Sequence, residues 1–183
     1  LKSLYWRDCG DERRPYLPIF LINDIRRLWQ TMCLNFEANN PPTPVDRYRS
    51  VSGASRKVAN LKLRNARLLS CYSPILGFLA AADTDGITYH AAMEVLDQTP
   101  TERLQAVADL AGGTARRQTF EILDGYERYL TLMAQPKHDL ELTFADEETW
   151  QRTKQEAIDL GQTVLSLLGL LGRGKALYRY VII

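Results

Sequence analysis

Seven basic residues, Arg47, Arg49, Arg56, Lys57, Lys62, Arg64 and Arg67, stand between positions 47 and 67 with no acidic residue among them. The chain as a whole carries a formal net charge of only +1. Charge is therefore concentrated locally, and arginine and lysine at this density suit phosphate, which arginine can grip through two parallel hydrogen bonds. At about 100° per residue, Arg56, Lys57, Asn60, Arg64 and Arg67 fall along one flank of a helix, beside its apolar stripe, while Lys62 points to the other flank. A basic row that borders a buried face can line a cleft wall. The competing reading is a solvated face paired with the acidic stretch Asp139, Glu141, Asp146, Glu147 and Glu148, and such surface pairs are common and weak.

Other residues capable of chemistry are poorly placed for it. Asp83, Asp85, Gly86 and Glu94 echo a calcium-binding loop, but Ile87 replaces an oxygen ligand and Thr88 the required glycine. His90 and His138 have no partners at metal-ligand spacing, and neither follows an arginine closely enough for a helical ribonuclease of the HEPN type. Cys9, Cys33 and Cys71 form no Cys-x-x-Cys pair, which leaves neither a zinc signature nor a disulfide framework and fits a reducing compartment. Cys33 and Cys71 fall on or beside apolar stripes and read as inert core residues. Gly161, Gly169, Gly172 and Gly174 read as close packing or caps, since no strand precedes them and no Gly-Lys-Ser/Thr follows. No catalytic residue and no metal ligand is assigned.

The elements that must position the basic row are helices. Leu1 to Pro18, with Pro15, Pro18 and clustered charges, is an irregular lead-in. From Ile19 to about Asn39, Ile22, Ile25, Trp29, Met32, Cys33 and Phe36 recur at helical spacing and leave Arg26 and Arg27 on the polar side. Asn39 to Pro44 breaks this helix, because proline lacks the amide donor and restricts the residue before it. A second long helix is expected from near Ser55 to about Ala82, kinked or divided at Pro74. Asp83 to Gly86 makes a turn, and a shorter helix runs from about Thr88 to Leu96. Thr99-Pro100-Thr101-Glu102 has the cap, proline and glutamate of a capping box, and opens a helix to about Ala111. Gly112-Gly113 separates this from a helix over Thr114 to Met133, which Pro136 stops. The last begins near Asp146 and reaches Gly172; Leu177 to Ile183 is a short helix or an edge strand.

The expected fold is all-α, a bundle of about six helices, two of them long. Its 183 residues, 45% apolar and 25% charged, suit one helical domain spanning 1–183. No signal peptide is visible at the start, and the strongest apolar run, Val164 to Leu171, is far short of the roughly 18 residues a membrane span needs. A cytoplasmic, non-membrane protein is expected. The chain begins with Leu, which suggests a fragment of a larger one.

Two segments carry a resemblance. Leu21-Ile22-Asn23-Asp24-Ile25-Arg26-Arg27-Leu28-Trp29 with Cys33-Leu34-Asn35-Phe36-Glu37, and Leu61-Lys62-Leu63-Arg64-Asn65-Ala66-Arg67-Leu68-Leu69-Ser70-Cys71-Tyr72-Ser73, resemble the helical region C-terminal to the catalytic head in bacterial DNA polymerase β-type nucleotidyltransferase proteins. In those enzymes the head carries a Gly-Ser turn and metal-binding aspartates, and the helical part closes over the nucleotide. This sequence has no such Gly-Ser pair leading to a strand-borne Asp-x-Asp. The resemblance thus implies an accessory helical domain, inactive alone, with Arg27, Lys57, Lys62, Arg64 and Arg67 facing nucleotide or nucleic-acid phosphate. It implies no cofactor in this chain. Mg2+ belongs to a head elsewhere in the parent chain, where two ions would activate the attacking oxygen and stabilise the leaving pyrophosphate. The alternative is a non-catalytic interaction or dimerisation domain, a homo-oligomer whose apolar tail packs on a partner.

Overall fold

The computed structural model describes residues 14–39 and 53–181. Helix α1 spans Ile19–Asn39. Helix α2 (Gly53–Lys62), a widened π turn (Leu63–Arg67) and helix α3 (Leu68–Ala81) follow one another without interruption as a single rod. Then come α4 (Tyr89–Asp97), α5 (Pro100–Leu110), α6 (Gly113–Met133), α7 (Lys137–Thr143), α8 (Glu147–Gly172) and a closing 3-10 turn (Ala176–Tyr180). Among the described residues the only extended pairing is an antiparallel bridge between Tyr16 and Ile87. The protein is an all-α bundle, and no described helix is long and apolar enough to cross a membrane.

Helix α3 is the axis. Every residue from Ser73 to Leu79 is buried, so this segment is wrapped by α1, α4, α5 and α8. That environment explains why α3 passes through Pro74 undivided, although proline removes one backbone hydrogen bond and usually kinks a helix. The departure from α geometry lies one turn before α3 instead, at the π turn. The main core gathers Ile22, Leu69, Ile75, Leu76, Leu104, Ile122, Val164 and Leu167 around α3. A second, smaller cluster of Leu61, Tyr129, Leu140, Phe144, Trp150 and Ala157 fills the other end.

Local signals explain most boundaries. Thr88 accepts a hydrogen bond from the Ala91 amide to start α4, and Thr99 and Glu102 form the full capping box of α5. Asp146 accepts from the Thr149 amide at the start of α8. Gly86 is needed where it is: a Cβ there would sit 2.5 Å from the Tyr16 carbonyl oxygen, inside the bridge. At the other end of α8 a Cβ on Gly172 would collide with the Tyr178 ring, the close packing expected of these glycines.

Two readings change. Helix α7 was not expected, yet Pro136, which stops α6, sits at the N-cap of α7, where a missing amide costs nothing, and Leu140 and Phe144 anchor that segment in the small cluster. The apolar tail does not lie ready for a partner up to Val181. Leu177 is fully buried in the main core, and Tyr178 and Val181 pack against it.

Candidate phosphate-binding face

The basic row is positioned by the rod. In the π turn the Leu68 amide reaches back to the Leu63 carbonyl, five residues away, rather than four. The buried Asn65 side chain (4% exposed) donates from Nδ2 to the Leu61 carbonyl at 3.0 Å. This gives that carbonyl a partner where the ladder is widened. The extra residue also turns α2 relative to α3, so the flank expected from a uniform helix is not continuous.

The five predicted residues fall into three groups. Lys57 is engaged: its ammonium donates to the Phe144 carbonyl (2.8 Å) and to Glu147 (2.9 Å), and lies 5.4 Å from the centroid of the Trp150 ring. Its side chain is only 22% exposed, and here the competing ion-pair reading describes the geometry. Arg27 stands on the outward face of α1, 77% exposed and 3.3 Å from Asp24. Lys62, Arg64 and Arg67 remain together on the rod. Lys62 and Arg67 are exposed and form no ion pair among the described residues, and Arg64 donates to the Asn60 side chain at 3.0 Å. Arg56, one turn earlier, is likewise exposed and unpaired among the described residues. Arg47 and Arg49 lie outside the described residues.

The surroundings are mildly polar and shallow. Beside the π turn, Leu61, Asn65, Gly125, Arg128, Tyr129, Thr153 and Glu156 line a notch of about 40 Å³, room for roughly one water. Burial pushes the Tyr129 phenol above its ordinary value, while Tyr126 adds to the rise and the nearby Arg67 charge opposes it. Burial also raises the Cys33 and Cys71 thiols; Glu37 adds to the rise at Cys33, and Arg64 works against it. Neither thiol is activated, in keeping with inert residues. Tyr72 is raised by burial, countered first by Arg26. Arg26 and Arg128, neither singled out by spacing, therefore border the basic face, one from α1 and one from α6.

No family model, curated protein or solved structure matches this chain. The site must be judged on its own residues. Among the described residues no three of His, Cys, Asp and Glu come together as a metal site. Asp83 and Asp85 are exposed in their turn, and His90 is exposed beside Glu94, 3.4 Å away. A two-metal centre does not fit these residues, and no step is routed through one. The arrangement can neutralise and orient an anion at the surface.

Proposed function

We propose that this chain is a helical accessory domain of a nucleotidyltransferase, with Lys62, Arg64 and Arg67 presented to the phosphates of a nucleotide or nucleic acid. The observation that carries the reading is the cluster of cations without acidic partners on the α2–π–α3 rod, in a chain otherwise balanced in charge. Opposite charges elsewhere on this surface do find one another, as at Lys57–Glu147, Arg117–Glu121 and Lys137–Glu141. The resemblance of the same rod, and of α1, to the helical part of those enzymes points the same way. The role is charge neutralisation and positioning, and the chemistry belongs to a separate head. Mg2+ would act there, together with the nucleotide's acceptor.

The test is direct binding. A fluorescent nucleoside triphosphate and a fluorescent single-stranded oligonucleotide are titrated into wild type and the Lys62→Ala/Arg64→Ala/Arg67→Ala variant at low and moderate salt. A charge-assisted contact is worth about 1.5–3 kcal/mol, so even one lost phosphate contact weakens binding roughly tenfold or more. The variant is expected to bind at least that much more weakly and with a flatter salt dependence, at unchanged helicity. Equal binding by both proteins, or no binding by wild type at low salt, would overturn the reading.

A further inference from the structure

The outward face of α1 holds a row that the bundle leaves uncovered. Phe20, Asp24, Arg27, Thr31, Leu34 and Ala38 are all exposed, whereas Ile22 and Phe36 on the opposite face are buried. Their spacing alternates four and three residues, the spacing of the seam along which two helices pack. Phe20 is 79% exposed and Leu34 70%, and Leu28, at 50%, flanks the row. Between the two large apolar side chains lies the Asp24–Arg27 pair at 3.3 Å. Large hydrophobes placed at this spacing on a solvent face have no role in the fold of one molecule.

We infer that this row is the contact surface for a second copy of the chain, with the two α1 helices packed antiparallel about a two-fold axis at Arg27. The row is complementary to itself in that arrangement and in no other simple one. Phe20 of each molecule meets Leu34 of the other, twice over, as a two-fold interface requires. Asp24 and Arg27 of one molecule then lie against Arg27 and Asp24 of the other, which closes two acids and two bases into a neutral ring. A parallel pairing sets Asp24 against Asp24 and Arg27 against Arg27, and like charges directly opposed cost affinity. A strongly acidic or basic partner would satisfy only one member of the pair. The polar centre fixes register at some cost in stability, as buried polar seam residues do in coiled coils.

The contact is modest. A stable interface covers about 800 Å² on each partner, and two large side chains with one flanking leucine cover less, so dissociation on the order of 10–100 µM is expected. The inference is independent of the phosphate face, which lies on the rod.

Sedimentation equilibrium of wild type over a concentration series should show the mass rising from 20.9 kDa toward twice that value. Phe20→Glu/Leu34→Glu should remain monomeric throughout, with the circular dichroism of wild type, because both positions are exposed. Arg27→Asp, which gathers four carboxylates at the axis, should weaken association about tenfold or more. Adding the reciprocal change, as Asp24→Arg/Arg27→Asp, should restore it, since the ring is rebuilt with reversed signs. A wild type that stays monomeric, a dimer indifferent to Phe20→Glu/Leu34→Glu, or a double reversal that fails to restore what Arg27→Asp removed would each overturn the inference.

Discussion

Arg103 shows how much one side chain can hold in this bundle. From α5 it donates to the Val95 carbonyl (2.6 Å), the Leu96 carbonyl (3.1 Å) and the Ser73 hydroxyl (3.3 Å), so its planar fork ties the end of α4 to the middle of α3. Ser73 is fully buried and α4 has no basic residue in its own last turn. Burial lowers the Arg103 pKa, with Glu102 opposing, but an arginine starts so high that the guanidinium stays charged. Arg103→Ala leaves two helix-end carbonyls and a buried hydroxyl without this donor, and a loss of about 2–4 kcal/mol in unfolding free energy is expected by urea titration. Arg103→Lys keeps the charge but not the three-way geometry, and should recover less than half of that loss. The sequence gives no sign of this role. Arg103 reads there as one more polar residue of an amphipathic helix, because its partners lie eight, seven and thirty positions away on two other helices. Cys33 and Cys71 were legible as inert, since apolar spacing alone predicts the burial that raises both thiols.

At the scale of elements, the helices themselves were legible and the way they are held was not. Apolar recurrence and cap residues place six helices to within a few residues, as the box at Thr99 and Glu102 and the Asp146 cap illustrate. The seventh, α7, is seven residues long and too short to display a periodic stripe. Helix C-termini in this chain take their cations from far away: Lys175 reaches the Leu79 carbonyl of α3 across 96 positions, and Lys57 the Phe144 carbonyl beyond α7 across 87. Such pairings complement the negative helix end but leave no local pattern. The π turn is the same kind of omission, because nothing in Leu63-Arg64-Asn65-Ala66-Arg67 announces an extra residue per turn. Its consequence for the candidate site is large, since it separates Lys57 from Arg64 and Arg67. Asn65 holds the turn by giving Nδ2 to the Leu61 carbonyl in a buried setting. Asn65→Asp removes that donor and sets a carboxylate against a carbonyl. The variant should unfold at a lower urea midpoint with an unchanged slope, losing about 2–4 kcal/mol.

For the molecule as a whole, the two apolar clusters meet through the rod, and carboxylates at helix starts help to keep the halves in place. Glu102 is held below its ordinary value of 4.5 first by the Thr99 backbone amide. Asp146 is held below 3.8 first by its hydrogen bonds with Thr149. Glu147 is held below 4.5 first by Lys57, the link between α2 and the start of α8 beside Trp150. In all three the charged form is favoured on folding, so the unfolded chain binds protons more readily. Their contribution is present in full above the ordinary values and is lost as pH falls through 4.5 and 3.8 to the lower folded values. The urea midpoint of wild type should therefore be flat above about pH 5.5, fall through the range of these ordinary values, and continue falling below it. Glu147→Gln separates the link from the caps. At pH 7 its midpoint should lie below that of wild type, because the Lys57 ammonium loses its anion while keeping the Phe144 carbonyl. As pH drops and Glu147 is protonated in wild type as well, the two midpoints should converge. A gap that persists unchanged at the lowest pH would mean that Glu147 acts through its shape and not its charge, and that the small cluster is closed by packing around Trp150 alone.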